Sequence, residues 1–496
     1  MSFAQATLML LLIYAAITVY IVYRGATKTK DIKDFALGIG FSPVIVGLSL
    51  AASITSAATF IINPGFVALY GWSAFLAMSV VLPIGLFISL IILSKSFRKY
   101  GASIKALTMA QWVGTRYDSK FFSYFMASVS LLLITFIVLI CVGLTKVISS
   151  ALNADELVVL IILVVFVFGY TMFGGANSMV YTNTIQAILM IIVAVILLTS
   201  GYEHFSNGVD AFWTKLNVID PKLSLAFNEN SPLFRDWFEV IVCNFIVGIA
   251  IVCQPHIITK SLMLKTDQDV NKYLTVAIVV ETLFFAVLFA GFYARMMFPD
   301  LINNGVAIKM DGILSAYVVK KFSVGIGILV VLGLISAGLS TLEGIVQSLS
   351  TTISNDIIAP AMSWQKQPRK ISKVNKYVIV GLALIAIAVS YQQLLYPNLS
   401  VGILAQNGVY AYFSAAFVPV LFGIFLKDTP KQAAIGAAIT AFVVHFTVYY
   451  GSLTPYTTGQ VKNPAVAAAL AIISALLVGS LLYYSYKKPI KKETPV

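Results

Sequence analysis

Charged residues are scarce in this chain: Asp, Glu, Lys and Arg make up 11% of its 496 residues, whereas 59% are hydrophobic. A soluble domain carries about 25% charged residues, so the composition excludes an ordinary soluble protein. Apolar runs of about 20 residues, the length that crosses a bilayer as a helix, recur along the whole sequence. We therefore predict an all-α polytopic membrane protein.

Cysteine and histidine are also rare, with three of each. Cys141, Cys243 and Cys253 all lie in apolar runs, which is typical of small core residues and not of disulfides or zinc ligands. The motifs HExxH, GxSxG, GxGxxG and the P-loop are absent, which argues against hydrolytic, redox and ATP-driven chemistry. We therefore predict that the chain is not an enzyme and that it holds no cofactor.

The apolar runs predict thirteen transmembrane helices, and they are numbered here in chain order. They lie at about residues 5–24, 42–70, 72–95, 121–149, 156–173, 181–201, 236–258, 273–297, 322–353, 377–396, 401–426, 432–451 and 463–486. With the first helix set aside, the next five and the following five have opposite orientations, which is the plan of an inverted repeat. The predicted organisation is a first helix and loop (1–41), a first repeat of five helices (42–201), an outer loop (202–235), a second repeat of five helices (236–426), two peripheral helices (427–486) and a cytoplasmic tail (487–496).

The basic residues are distributed unevenly. Lys and Arg number 33 against 20 Asp and Glu, for a net charge of +13. If the N-terminus lies outside, 24 of the 33 basic residues fall in segments on the inner side. Because basic loops stay in the cytoplasm, we predict a multi-pass protein of the plasma membrane with an outer N-terminus and a cytoplasmic C-terminus. The positive charge is then a topology signal, and no nucleic acid partner is expected.

Two predicted helices carry matched signs of interruption. The second contains the small and hydroxylated run 51–59, followed by Asn63-Pro64-Gly65. The seventh contains Asn244, Gly248 and Cys253-Gln254-Pro255-His256. Small and hydroxylated residues let the backbone leave helical geometry, and proline removes a further hydrogen bond. Small residues also serve close helix packing, but their occurrence at corresponding places in both repeats favours two broken helices.

Glu343 is the most informative residue of the ninth predicted helix. It lies in an apolar stretch from about Phe322 to Ile358, where a charge costs at least about 2.5–3.5 kcal/mol at mid-bilayer unless it faces protein or water. Two roles stay open for it: a relay for protons or ions, or a charge paired with a neighbouring helix. Glu281 and His256 leave the same choice between titration and a structural role.

The ninth helix also offers ligands for a small cation. Ala337, Ser340 and Thr341 are spaced so that they share one helical face. An interruption of the second helix would free the carbonyls of Ala52 and Thr55. Carbonyl and hydroxyl oxygens supply the hard ligands that sodium prefers, and we expect sodium to be the only metal bound. A cation clamped between the two helices would hold one state of an alternating-access transporter.

Four segments together carry a family resemblance. They are the run from Ala52 to Trp72, Gly174-Gly175 with 181–186, Gln254-Pro255-His256 with Lys260, and Ser340-Thr341 with Ser354-Asn355-Asp356. In these segments the chain resembles the sodium/solute symporter family, most closely its pantothenate and monocarboxylate branch. The resemblance implies a LeuT-type core of five plus five helices with two broken ones. It also implies a sodium site formed by Ala52, Thr55, Ala337, Ser340 and Thr341.

The chain departs from the family pattern in two places. Asn183 stands where many members have Asp, and a neutral amide there makes a second sodium doubtful and favours one sodium per solute. Ala58 and Thr59 stand where the sugar carriers have a polar pair, which disfavours a hexose. The predicted coupling and gating residues are Asn183, Glu343 and Gln406. Gln406-Asn407-Gly408 has two open interpretations: an interruption of the eleventh helix that forms an outer gate, or ordinary interhelical bonding.

The expected substrate pocket lies between the two broken helices. Its predicted residues are Ser56, Thr59, Asn63, Asn244 and Gln254. Half-helix N-termini suit a carboxylate, so we predict sodium-coupled import of a small carboxylate or amino acid such as pantothenate, acetate, lactate or proline. Proton coupling on the same fold is the alternative, and a sensor or channel is less favoured. The expected partners are the solute, sodium and the lipid bilayer, with no obligatory protein partner.

Overall fold

The computed structural model describes residues 3–38, 40–303, 305–396, 401–426 and 428–486. Nearly all of these residues are helical, apart from a two-stranded antiparallel sheet of Ile302–Asn303 and Val306–Ala307. The predicted cytoplasmic tail, 487–496, lies outside the described residues.

Within the described part of the chain, eleven helices are long and apolar enough to cross a membrane, and two bent helix pairs raise the number to thirteen. The thirteen predicted spans are therefore confirmed. They are span 1 (Phe3–Ala26), span 2 (Pro43–Ile54 with Ala58–Tyr70), span 3 (Trp72–Ser103), span 4 (Lys120–Leu152), span 5 (Glu156–Gly174), span 6 (Ala176–Phe205), span 7 (Phe238–Ile251 with Pro255–Met263), span 8 (Asp269–Met297), span 9 (Val324–Ala361), span 10 (Pro368–Leu395), span 11 (Val401–Phe425), span 12 (Lys431–Gly451) and span 13 (Pro464–Tyr486).

Shorter helices lie between the spans. The longer of these are Ile32–Leu37, Met109–Arg116, Val209–Ile219 and Ile313–Lys321. The last two lie in the predicted outer loop 202–235 and between spans 8 and 9, and they pack onto the bundle through buried Phe212, Leu216, Ile313 and Leu314.

Spans 2 and 7 are the broken helices, bent by 55° and 57°. In span 2 the backbone leaves helical geometry at Thr55 (φ −78°, ψ 89°), and Ser56 Oγ accepts the amide of Ala58, where the helix resumes. In span 7 the backbone is extended at Gln254, and Pro255 begins the second half, a position where its missing N–H costs nothing. The two predicted breaks are confirmed, five spans apart.

Gly248 lies inside the first half of span 7 and not at its break. A Cβ atom there would lie 2.2 Å from the carbonyl oxygen of Leu82 in span 3, and a Cβ on Gly85 would lie 2.5 Å from the carbonyl oxygen of Phe245. These two glycines therefore let the backbones of spans 3 and 7 touch. For Gly248, close helix packing is the correct explanation.

Span 11 runs without interruption through Gln406-Asn407-Gly408, so of the two interpretations the interruption is wrong. The Asn407 side chain forms its hydrogen bonds with span 12. Its Nδ2 donates to Tyr450 Oη at 3.0 Å, and its Oδ1 lies 2.9 Å from His445 Nε2. Gly408 packs closely against Thr135 of span 4, because a Cβ atom added to this glycine would lie 2.3 Å from Thr135 Oγ1. Interhelical bonding and packing explain these residues without a break.

A salt-bridged cluster fixes the start of span 7. Arg235 donates to Glu239 through Nη2 at 2.7 Å, and Asn463, at the entrance to span 13, donates to the same carboxylate at 2.8 Å. Tyr456 stacks on the Arg235 guanidinium and donates to Asp236 at 2.7 Å. That hydrogen bond to Asp236 raises the pKa of Tyr456 to about 12. The segment between spans 12 and 13 is thereby tied to the first half of span 7.

Candidate functional site

Five buried oxygen atoms meet where span 9 crosses the break in span 2. Ser340 Oγ donates to the carbonyl oxygen of Ala52 at 2.6 Å and also lies 3.0 Å from that of Ala337. Thr341 Oγ1 donates to the carbonyl oxygen of Ser53 at 3.0 Å. All five residues are buried. We call these five residues the oxygen cluster.

The carbonyls of the oxygen cluster are available because the helix ends beside them. The last helical hydrogen bond of the first half of span 2 runs from Thr55 N to Ala51 O at 3.1 Å. The carbonyls of Ala52 and Ser53 then have no amide partner within the helix. On span 9, Ser340 and Thr341 are adjacent and both lie one turn after Ala337. Carbonyl oxygens of an unwound helix together with hydroxyls are ligands suited to sodium.

The oxygen cluster differs from the predicted ligand set at one residue. Ala52, Ala337, Ser340 and Thr341 come together as expected, but Thr341 bonds Ser53, which the sequence reasoning missed. The adjacent hydroxyls of Ser340 and Thr341 were the available signal, because they contact the adjacent carbonyls of Ala52 and Ser53. The side chain of Thr55 points elsewhere, and its Oγ1 donates to Glu281 Oε2 of span 8 at 2.8 Å.

Lys260 is a buried cation that the sequence reasoning placed among the inner loop residues. It is 1% exposed, and its Nζ donates to the carbonyl oxygen and Oγ of Ser49 at 2.8 and 2.6 Å. In the amide orientation that satisfies both of its atoms, Asn183 accepts from Lys260 Nζ at 3.3 Å and from Ser53 Oγ at 2.9 Å, and it donates to Gln186 Oε1 at 2.9 Å. Asn183 therefore links Lys260 to the oxygen cluster.

Glu343 is held by three neutral donors on spans 5 and 6. They are the Tyr170 hydroxyl, Thr182 Oγ1 at 2.7 Å and Gln186 Nε2 at 3.0 Å. Gln186 also joins it to Asn183 and hence to the Lys260 ammonium. Of the two roles left open for Glu343, this geometry favours a charge that joins neighbouring helices.

A cavity adjoins the break in span 2 and holds about 820 Å³ of empty space, including its open mouth. Its polar lining residues are Ser56, Thr59, Asn63, Gln254, His256, Gln406 and Tyr410. Most of the remaining lining is apolar, from residues such as Met78, Leu86, Phe136 and Phe285. Four of the five predicted substrate residues and the predicted gate Gln406 are thus brought together.

Asn244 is the exception among the predicted substrate residues. It does not line this cavity, and its Nδ2 donates to the carbonyl oxygen of Glu239 in its own helix at 2.8 Å. His256 takes a more central place, because it also lines a second cavity of about 340 Å³ with Lys260, Gln347 and Thr351. His256 therefore borders both cavities.

Comparison with curated proteins finds transporters of similar length. The sodium/pantothenate symporter of Escherichia coli (strain K12) is 27% identical over 481 residues, which cover 95% of this chain and 94% of that protein. The sodium/sialic acid symporter SiaT of Proteus mirabilis (strain HI4320) is 22% identical over 490 residues, which cover 93% of each. Both similarities therefore extend over nearly the whole chain.

Solved structures share the fold. A substrate-bound, outward-open Na+-coupled sialic acid symporter superposes with a TM-score of 0.77 at 18% identity, over 98% of each chain. Mhp1, a nucleobase-cation-symport-1 family transporter, superposes with a TM-score of 0.52 at 14% identity, over 93% of this chain and 97% of that one. The predicted LeuT-type architecture is confirmed.

A family model described as the sodium:solute symporter family matches residues 35–441, most of the chain. This match agrees with the thirteen spans, the two matched breaks and the symporter relatives. The protein is therefore a multi-pass membrane transporter that belongs to the sodium:solute symporter family.

Proposed function

We propose that this protein imports a small organic carboxylate together with sodium, and that pantothenate is the first candidate solute. Sodium would bind at the oxygen cluster of Ala52, Ser53, Ala337, Ser340 and Thr341, with the Thr55 carbonyl as a further predicted ligand. The solute would bind in the cavity lined by Ser56, Thr59, Asn63 and Gln254. The proposal includes no cofactor and no chemical change of the solute.

The observation that carries the sodium assignment is the contact between Ser340 and Ala52. It joins a straight helix to the broken one, so a ligand that replaces it acts on the relative position of spans 9 and 2. A sodium ion would be coordinated by both the Ala52 carbonyl oxygen and the Ser340 hydroxyl oxygen. It would hold the two spans together more strongly than one hydrogen bond does. Its release would allow them to separate, as alternating access requires.

The cavity supports a solute with an apolar body and a few polar groups. None of its lining residues is Lys or Arg, so recognition of a carboxylate falls to hydroxyls, amides and the N-terminal end of the half-helix Ala58–Tyr70. The E. coli relative is a sodium/pantothenate symporter, and a second sodium/pantothenate symporter, from Haemophilus influenzae, is 23% identical over 373 residues. Pantothenate combines a carboxylate with an apolar body and hydrogen-bonding groups, which suits this lining.

The distribution of basic residues supports an orientation. We propose that the N-terminus lies outside and the C-terminus in the cytoplasm of the plasma membrane, because this places 24 of 33 Lys and Arg residues on the inner side. Sodium moving inward down its own concentration gradient would then drive the entry of solute from outside.

Uptake into proteoliposomes tests the proposal. Labelled pantothenate, proline, acetate and lactate would be supplied with and without an inward sodium gradient, to the wild type and to Ser340→Ala. The matched control is Ser336→Ala, one turn away, whose Oγ donates to Leu332 O of its own helix. We expect sodium-stimulated uptake of pantothenate that is lost in Ser340→Ala and kept in Ser336→Ala. Uptake that is equal with and without the sodium gradient but depends on a pH gradient would contradict the proposal.

A further inference from the structure

Glu281 is a buried carboxylate without a counter-charge. It lies in span 8 and is 0% exposed. Thr55 Oγ1 donates to its Oε2 at 2.8 Å, and no group in the described part of the chain donates to its Oε1. No ion pair among the described residues includes this carboxyl group. A single neutral donor does not compensate a carboxylate in a protein interior.

The charged groups around span 8 lie toward its two ends and away from Glu281. The elements packed against Glu281's helix are span 2, span 3 and span 6. Together with span 8 they carry Lys95, Arg98, Lys99, Asp269 and Lys272 at one end, and Glu203, His204 and Arg295 at the other. Arg295 lies fourteen residues after Glu281, about 21 Å along the helix. Lys272 lies nine residues before Glu281, about 13 Å along the helix. None of these side chains therefore serves Glu281 as a partner.

The contrast with Glu343 shows what Glu281 lacks. Glu343 receives three hydrogen bonds and is connected to the Lys260 ammonium through Gln186 and Asn183. Glu281 has one hydrogen bond, and the oxygen that faces no donor is buried. Buried carboxyl groups in proteins are paired, bind metal ions or take up a proton. Since no described basic side chain pairs with Glu281, a bound cation would take that position beside the carboxyl group.

Glu281 and Thr55 lie next to residues that line the solute cavity. The residues on either side of its partner, Ile54 and Ser56, both line that cavity. Phe285 also lines it, and it lies four residues after Glu281, on the same face of span 8. The carboxyl group thus lies behind the cavity wall, at the break of span 2.

We propose that Glu281 and the Thr55 hydroxyl form a second sodium site, distinct from the oxygen cluster. A carboxylate and a hydroxyl are hard oxygen ligands of the kind that bind hard cations. A monovalent ion neutralises the one carboxylate, whereas a divalent ion would leave a net positive charge in a buried place. The two sites are close along the chain, because Thr55, whose hydroxyl bonds Glu281, follows Ser53 of the oxygen cluster by two residues.

This inference rests on the proposed sodium coupling, and it changes the expected stoichiometry. The neutral Asn183 predicted one sodium per solute, whereas a site at Glu281 gives two. The extra ion would be held by spans 2 and 8, and the first by spans 2 and 9. Two ions would therefore fix the break of span 2 from both sides.

Counting bound sodium ions tests the second site without knowledge of the solute. The full-length protein in detergent would be dialysed to equilibrium against radioactive sodium chloride, as wild type and as Glu281→Gln. We expect two sodium ions per wild-type protein and one per Glu281→Gln. The matched control is Asp356→Asn, a buried carboxyl of span 9 that already accepts from Thr108 and Asn355, and it should keep two. An unchanged count in Glu281→Gln would overturn the inference.

A second variant covers the case in which Glu281→Gln does not fold. Thr55→Val removes only the hydroxyl ligand and keeps the backbone, so one of the two sodium affinities should fall by about tenfold or more. Equal affinities in Thr55→Val and wild type would count against the site. A wild-type count of one, with a sodium affinity that changes with pH unless Glu281 is replaced, would mean that the carboxyl binds a proton and would also overturn it.

The same dialysis separates this inference from the proposed function. If Ser340→Ala keeps both ions while Glu281→Gln loses one, the oxygen cluster fails and the second site stands. If Ser340→Ala loses one ion and Glu281→Gln loses none, the oxygen cluster stands and the second site fails. A wild type that binds no sodium would overturn both.

Discussion

Ser340 of span 9 donates its hydroxyl hydrogen to the carbonyl oxygen of Ala52 at 2.6 Å. Ala52 lies in the last turn before the break in span 2, so this contact joins the break to the stretch 330–347 of span 9, in which every residue is buried. The oxygen cluster forms at this contact because one helix ends there and the other presents two hydroxyls. The predictions below follow from this arrangement and from the groups around it.

Glu343 is expected to stabilise the bundle and not to relay ions. In Glu343→Leu the hydroxyls of Tyr170 and Thr182 lose their acceptor, so the free energy of unfolding should fall by about 3–5 kcal/mol. Glu343→Gln keeps an acceptor oxygen and the size of the side chain, and a loss of about 1–3 kcal/mol is expected. Thermal unfolding in detergent measures both. A Glu343→Gln protein that is folded but no longer stimulated by sodium would show that the carboxylate relays ions.

Gly248 is expected to be intolerant of any side chain. Its Cβ would lie 2.2 Å from the Leu82 carbonyl oxygen of span 3, so Gly248→Ala must push two backbones apart. Overpacking of this kind costs about 1–3 kcal/mol, measured as a lower unfolding temperature. Gly169→Ala in span 5 is the control, since nothing lies within 4 Å of its added Cβ. Equal unfolding temperatures for the two variants would contradict the close contact of spans 3 and 7.

Gln254 and Asn244 are expected to act differently although both were predicted to contact the solute. Gln254 lines the cavity, and its Oε1 accepts no hydrogen bond from the described residues. Gln254→Ala should raise the half-saturating solute concentration about fivefold or more, the effect of about 1 kcal/mol of lost hydrogen bonding. Asn244→Ala should lower stability by about 1 kcal/mol and leave that concentration unchanged. Concentration-dependent uptake by both variants checks this, and a solute effect of Asn244→Ala equal to that of Gln254→Ala would refute the assignment.

The spans and their breaks were predictable because their causes are local. Apolar runs define the helices, and the run 51–59 and Gln254-Pro255 stop the helix within a few residues of where they occur. Gln406-Asn407-Gly408 failed as a break because the same residue types also serve packing and interhelical hydrogen bonds. A local pattern does not separate these two uses when the neighbouring helix is unknown.

The side-chain partners were much less predictable. Lys260 bonds Ser49, which is 211 residues away, and Thr55 bonds Glu281, which is 226 residues away. No periodicity within one helix relates such residues, since their meeting depends on how whole spans pack. The oxygen cluster was an exception only in part, because the family resemblance placed four of its residues and the position of Ser53 became evident from the packing.

Sodium affinity in Ser340→Ala tests the central claim most directly. Removal of the hydroxyl takes one ligand from the oxygen cluster, while the neighbouring Ser336→Ala removes a hydroxyl that bonds only its own helix. The sodium concentration that half-saturates pantothenate uptake should rise by about tenfold or more in Ser340→Ala, since a lost charge-assisted contact is worth about 1.5–3 kcal/mol. It should stay at the wild-type value in Ser336→Ala. Equal values in all three proteins would show that sodium does not bind where span 9 meets the break of span 2.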